Sequence, residues 1–147
     1  MSVNVGNRTP SKYEYINAYY RVDNDALELC RNIFGVDDDE EEIKKNLIYL
    51  QAMHRRVLDL DIDIGNYINT AANLNPEIHD EYMKRRTYQA VAISLCHALL
   101  ALYQQAMKNL HIKGNKYTNE VRNLIYLIEC LTKWQDQDEN IYGPITG

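Results

Sequence analysis

An apolar seam that repeats every three or four residues between positions 43 and 71 most constrains the fold of this chain. Its members are Ile43, Leu47, Leu50, His54, Val57, Asp61, Ile64, Ile68 and Ala71. This spacing is typical of one face of a long α-helix that packs against other helices. Two members, His54 and Asp61, are ionisable, and such side chains need a partner when they are buried.

Turn signals divide the rest of the sequence into further helical segments. An S-x-x-E capping box at Ser11 starts the first segment, and Gly35 is a typical residue for its end. Pro76 cannot continue a helix, so the Asn-rich string before it predicts a sharp turn. In order, the predicted helices run from Ser11 to about Phe34, from about Asp39 to Asn73, from Pro76 to about Leu110, and from about Thr118 to Gln135.

Four helices joined by short connections predict an all-α fold, an antiparallel up-and-down four-helix bundle. We expect the bundle to occupy residues 11–135. The polar residues 1–10 predict a mobile N-terminal arm, and the polar residues 136–147 predict a loosely ordered tail.

Composition narrows the class of protein further. The chain has 147 residues and a net charge of −5. It has no run of about 18 apolar residues, the length that a membrane span needs, and its polar start is unlike a secretory signal. These features predict a cytoplasmic protein with no membrane partner. Cys30, Cys96 and Cys130 lie in apolar runs without a C-x-x-C pair, so we interpret them as free thiols rather than as a metal or redox site.

The antiparallel hairpin predicts an internal polar cluster. Asp61 precedes the turn at 73–76 by about as many residues as separate the turn from Arg85 and Gln89. We therefore expect Asp61 to meet Arg85 or Gln89 inside the bundle, with His54 in the same seam. Such a cluster either fixes the register of the helices or forms a small ligand or catalytic site, and the first interpretation is favoured.

Signatures of catalysis and of metal binding are absent from the sequence. It contains no Glu-x-x-His string, no pair of histidines four residues apart, and neither a Walker loop nor a G-x-G-x-x-G string. The chain is therefore interpreted as a non-enzyme without metal or cofactor.

One stretch of the acidic chain is basic. Residues 75–116 carry six basic and three acidic side chains. Three adjacent basic residues in this stretch, at positions 84–86, and two in the preceding predicted helix, at positions 55 and 56, could face the same side. We interpret these five side chains as a candidate nucleic-acid surface. A solvated face without a partner is the alternative, and the net charge favours it. The candidate residues are Arg55, Arg56, Lys84, Arg85 and Arg86.

The second helical hairpin also carries a family resemblance. The motifs concerned are Ala72-Asn73-Leu74-Asn75-Pro76, Glu81-Tyr82, Arg85-Arg86, Tyr88-Gln89 and Ala92, with Val3-Asn4-Val5, Ser11-Lys12 and Tyr15-Ile16 near the N-terminus. Together they resemble the four-helix-bundle proteins related to the accessory variability determinant (Avd-like proteins) of diversity-generating retroelements. They are also similar to ribosomal-RNA intervening-sequence proteins, and the N-terminal motifs to phage and prophage members.

This resemblance implies a cytoplasmic, non-catalytic bundle that forms a homo-oligomer, in some members a ring of five. It further implies an accessory role beside a reverse transcriptase and its RNA or DNA. Arg85, Arg86 and Gln89 lie where the family pattern is polar, so they are the functional positions that it implies. The net charge of −5 departs from the basic character of the retroelement protein. A general protein–protein interaction module without nucleic-acid binding is the alternative function.

Overall fold

The structure, a computed structural model, describes residues 14–36, 39–112 and 116–144. These ranges contain four long α-helices, one short α-helix and a single 3₁₀ turn at Ile33–Gly35. The predicted arm at 1–10 and Ser11 of the capping box lie outside these ranges. The helices are α1 Glu14–Arg31, α2 Glu40–Lys45, α3 Leu47–Ala72, α4 His79–Asn109 and α5 Thr118–Tyr142. Strands are absent from the described ranges, and the prediction of an all-α bundle is confirmed.

The four long helices pack in a ring. α3 lies against α4, α5 against both α4 and α1, and α1 against α3. Each helix supplies an apolar face. Burying apolar surface stabilises the bundle by about 25 cal/mol for each Å² removed from water. The centre of the core is lined by Val22, Ala26, Val57, Leu60, Ile64, Cys96, Leu99, Leu124, Leu127 and Leu131.

The predicted helix from Asp39 to Asn73 is divided at Asn46. The Asn46 backbone has φ −101° and ψ 9°, outside the helical values, so α2 ends before it and α3 begins after it. Hydrogen bonds from Asn46 N to Glu42 O and from Leu50 N to Asn46 O still link the two segments. The division is a bend between α2 and α3 rather than a loop.

The fourth predicted helix extends further than Gln135. α5 continues to Tyr142, and Asp138 in this extension is buried. The prediction of a loosely ordered tail from position 136 is therefore wrong for residues 136–142. The reason is packing, because Asp138 follows Trp134 on the inward face of α5 and carries that face one turn past the predicted end.

Contacts along the α3–α4 hairpin fix its register. Asn109 Nδ2 donates to Tyr49 Oη at 3.1 Å, and the rings of Tyr67 and Tyr88 lie 5.7 Å apart. Asp61 is six residues before Tyr67, so it lies opposite the part of α4 about six residues after Tyr88. That part is near Cys96. The connection at 73–78 lets α4 begin about a turn beyond the end of α3, which shifts the pairing from the predicted one.

α4 contains a stretch that is long and apolar enough, by length and hydropathy alone, to cross a membrane. A core helix of a bundle meets the same criterion, which makes this weak evidence. Here α4 packs on α3 and α5, and its exposed positions include His97, Gln104 and Gln105.

Candidate functional site

A buried ion pair joins α4 to α5 near the hairpin end of the bundle. Arg85 Nε donates to Asp138 Oδ2 at 2.7 Å, and Arg85 Nη2 donates to Asp138 Oδ1 at 2.9 Å. Gln89 Nε2 donates to the same Oδ2 at 2.8 Å. Arg85 also reaches the Leu74 carbonyl at 3.3 Å, and its guanidinium lies 5.0 Å from the centre of the Trp134 ring. The Arg85–Asp138 ion pair is bidentate, and together with these further contacts it holds both side chains in one geometry.

This arrangement corrects the predicted internal cluster. Arg85 and Gln89 do meet, but the carboxylate between them is that of Asp138 and not that of Asp61. Asp61 lies more than a turn further along the bundle, because of the α3–α4 register. His54 is exposed and is not part of a buried seam, since α3 turns Met53 and Val57 inward on either side of it.

Sequence reasoning missed Asp138, although a signal for it was present. Five of the six buried residues of α5 recur at alternating steps of three and four residues, and Asp138 is the next step after the last apolar one. They are Leu124, Leu127, Leu131, Trp134 and Asp138, and the sixth is Cys130. A polar residue that continues an apolar face is a candidate for an internal pair.

Asp61 instead forms a second buried polar site, with residues of α1. Its exposed fraction is 1%, and its Oδ1 has no partner among the described residues. Burial is the largest cause that raises the pKa of Asp61 to about 8. The protonated Asp61 carboxyl also donates a hydrogen bond to the Asp23 carboxylate, and the negative charge of Asp23 adds to the increase. Asp61 therefore keeps its proton at neutral pH.

Tyr19 of α1 also contacts Asp61. Its hydroxyl donates to the Asp61 backbone carbonyl at 3.0 Å, and burial raises its pKa. Burial, with a smaller effect of the Asp61 charge, also raises the pKa of Cys30 to about 11 and that of Cys96 to about 12. Both thiols therefore stay protonated at neutral pH, so neither is an activated nucleophile. All three cysteines are free thiols, as predicted.

The five predicted basic residues do not form one surface. Arg55, Arg56 and Lys84 are exposed, whereas Arg85 is held by Asp138. Arg86 is held by α5, since its Nη1 donates to the Gln135 carbonyl at 2.6 Å and its Nη2 lies 3.5 Å from Glu139 Oε2.

Arg55 and Arg56 also lie far from the exposed Lys84. The α3–α4 register places the 84–86 cluster beside the end of α3, near Leu74. Arg56 is 18 residues before Leu74 in the chain. At a rise of 1.5 Å per residue this is about 27 Å along the bundle. Arg55 and Arg56 therefore form a basic pair of their own.

That basic pair borders a groove between α3 and α4. The groove has a volume of about 560 Å³, and its lining includes Tyr49, Ala52, Met53, Arg55, Arg56 and Leu102. A second groove of about 600 Å³ lies on the other side of the same stretch of α3, and its lining includes Phe34, Ile43, Leu47, Leu50, His54 and Arg55. We name the stretch between the two grooves, Leu47 to Arg56, the α3 ridge.

The α3 ridge exposes apolar side chains. Ile48 is 85% exposed and Leu47 is 45% exposed, although both lie in a regular helix. The first turn of the preceding α2 presents three exposed acidic side chains, Glu40, Glu41 and Glu42, and its last turn presents two exposed basic ones, Lys44 and Lys45. Asp39 caps α2 by accepting from Glu41 N at 3.0 Å, in line with the preference of acidic residues for a helix N-terminus.

Comparison with models of protein families, with curated proteins and with solved structures finds no match to this chain.

Proposed function

We propose that this protein is a non-catalytic helical bundle that acts by self-association, and that the α3 ridge is its contact surface. One observation carries the proposal, which is the exposure of Ile48 and Leu47 between two apolar grooves. Exposed apolar side chains beside concave apolar surface are typical of contact sites between proteins. A homo-oligomer is also what the resemblance to Avd-like proteins implies.

Support for a non-catalytic role comes from the ionisable side chains. Arg85 and Asp138 satisfy each other, and Asp61 is enclosed at 1% exposure. A general acid or base must come within hydrogen-bonding reach of its substrate. Asp61 has a pKa near neutrality, which suits proton transfer, but its burial keeps a substrate away.

Sedimentation velocity over about 1 μM to 1 mM protein, the range of weak protein interfaces, tests the proposal. We expect the mass to rise above the 17.2 kDa of one chain as concentration increases. Ile48→Asp should keep the protein monomeric while leaving its thermal unfolding unchanged, because that side chain is exposed. A monomer at every concentration would overturn the proposal.

A second candidate function is contact with nucleic acid as an accessory of a cytoplasmic phage or prophage reverse transcriptase. The observation that favours it is the exposure of Arg55 and Arg56 beside Tyr49, since cations near an aromatic ring suit single-stranded RNA or DNA. A gel-shift titration with RNA and with DNA at low salt tests it. Binding should weaken in Arg55→Glu with Arg56→Glu, and Lys84→Glu serves as a basic control elsewhere.

A further inference from the structure

We propose that the α3 ridge pairs with the α3 ridge of a second copy of this chain, antiparallel and about a two-fold axis near Ile48. In this pair, Glu41 and Glu42 of one copy face Arg55 and Arg56 of the other. The inference rests on the proposed self-association and adds its geometry and its stoichiometry of two.

The spacing of the charges carries the argument. Glu41, Ile48 and Arg55 are separated by seven residues each, and all three are exposed. Ile48 and Arg55 are both on α3 and about two helical turns apart, so they lie on one side of that helix. Glu41 lies on α2, which the hydrogen bonds on either side of Asn46 join to α3. The midpoint between Glu41 and Arg56, and that between Glu42 and Arg55, falls directly after Ile48. A two-fold axis there exchanges the acidic end of the surface with its basic end.

A two-fold axis uses this complementarity twice. In an isologous contact, residue i of one copy meets residue j of the other, and residue j meets residue i. The glutamate pair at one end and the arginine pair at the other therefore form two equivalent charged contacts, with the apolar Ile48 at the centre. An apolar centre with a charged rim is the usual composition of a protein interface.

The shape of the α3 ridge and its two grooves also suits a second copy of this chain. Helices pack when the ridge of one lies in the groove of the other. The α3 ridge has a groove on each side, of about 560 and about 600 Å³. Ala52 lies on the exposed side of the ridge, one turn from Ile48, and its small side chain leaves room for a second helix. The chain thus carries both the projecting and the receiving surface, with both signs of charge.

Complementary variants test the arrangement. In one variant, Arg55→Glu with Arg56→Glu makes both ends of the surface acidic. In the other, Glu41→Arg with Glu42→Arg makes both ends basic. We expect each variant alone to dimerise at least about tenfold more weakly than the wild type, because like charges then face each other. An equimolar mixture should form a heterodimer within about threefold of the wild-type affinity, because both charged contacts are restored.

The measurement is sedimentation velocity of each variant, of the mixture and of the wild type, at low and at high salt. Ile48→Asp should abolish the dimer, and Ile62→Asp should leave it intact, since Ile62 is another exposed isoleucine of α3, 55% exposed, but lies beyond the arginines. Higher salt should weaken the wild-type dimer through screening.

The outcomes separate this inference from the proposed function. A wild-type dimer with weak single variants and a restored mixture supports both. A wild-type oligomer that the charge reversals leave unchanged, or a wild-type ring of five, overturns the two-fold pairing and leaves self-association standing. A wild-type monomer at every concentration overturns both.

Discussion

The ring of Tyr19 on α1 lies against the backbone of Gly65 on α3, with no space for a side chain between them. A Cβ built on Gly65 would lie 2.6 Å from Tyr19 Cζ, closer than real Cβ contacts occur. This approach also brings the Tyr19 hydroxyl to the Asp61 carbonyl. Glycine is therefore kept in the middle of a long helix because α1 packs directly on that position.

We predict that Gly65→Ala destabilises the protein, although alanine is the better helix former. The gain in helix propensity is about 1 kcal/mol, and the overpacking against Tyr19 costs about 1–3 kcal/mol. Urea unfolding followed by circular dichroism measures the difference. In a Tyr19→Ala background the same change should become stabilising by about 1 kcal/mol. Equal effects of Gly65→Ala in the two backgrounds would contradict the assigned contact.

The Arg85–Asp138 pair yields a second prediction. Asp138→Ala leaves the guanidinium of Arg85 and the amide of Gln89 without their acceptor inside the protein. Such a loss typically costs about 3–5 kcal/mol. The measurement is the midpoint and slope of chemical unfolding. Replacing both partners, as Arg85→Met with Asp138→Leu, should cost much less than Asp138→Ala, because no unpaired charge is left.

An exposed ion pair provides the control for that experiment. Arg31 Nη1 lies 3.0 Å from Glu28 Oε1, but both side chains are exposed. Glu28→Ala should change the free energy of unfolding by less than about 1 kcal/mol. A comparable loss in Glu28→Ala and in Asp138→Ala would show that burial does not determine the effect.

Much of this fold follows from local patterns in the sequence. The seam of α3, with Val57, Ile64 and Ile68 inward, predicts a packed helix, and the turn before Pro76 predicts the hairpin. The partner of Arg85 does not follow from such patterns. It depends on how far α4 extends past α3 and on where α5 ends, and both are decided by packing between helices rather than within them.

The environment of Asp61 shows the same limit. The three- and four-residue spacing places this residue inward, as the structure has it. Its neighbours Asp23 and Tyr19 are on α1, and the rotation of α1 about its own axis is set by tertiary contacts such as that with Gly65. Periodicity gives the inward face of a helix but not the residue that faces it across the core.

A third prediction concerns the end of α5. A chain truncated after Gln135 loses Asp138, so Arg85 and Gln89 lose their acceptor. It also loses Tyr142, whose ring is tilted against that of Tyr82 at a centroid distance of 5.7 Å. We expect a loss of at least about 3 kcal/mol in the free energy of unfolding, or loss of cooperative unfolding. A matched chain that ends at Pro144 keeps all of α5 and should unfold as the full chain does. Equal stability of the two truncated chains would contradict the structural role of residues 136–142.

The carboxyl pair of Asp61 and Asp23 leads to a pH prediction whose sign follows from the raised pKa. Asp61 has a pKa of about 8 in the folded protein and 3.8 as the ordinary reference value. Between these values the folded state holds a proton that the unfolded state has lost. The stability that Asp61 contributes through this proton is therefore fully present below about pH 4. It decreases as pH rises and is lost above about pH 8. The slope is at most about 1.4 kcal/mol per pH unit for one proton.

Asp61→Asn tests this sign, because an amide resembles the protonated carboxyl and does not titrate. We expect the variant to be more stable than the wild type at pH 8.5, and the advantage to shrink steadily as pH is lowered towards 5. Urea unfolding at several pH values measures it. Asp59→Asn, an exposed acid two residues earlier on α3, should track the wild type at each pH. A stability difference between Asp61→Asn and the wild type that stays constant across this range would mean that Asp61 is ionised in the folded protein, because a group with the same charge in both states has no pH-dependent effect on unfolding.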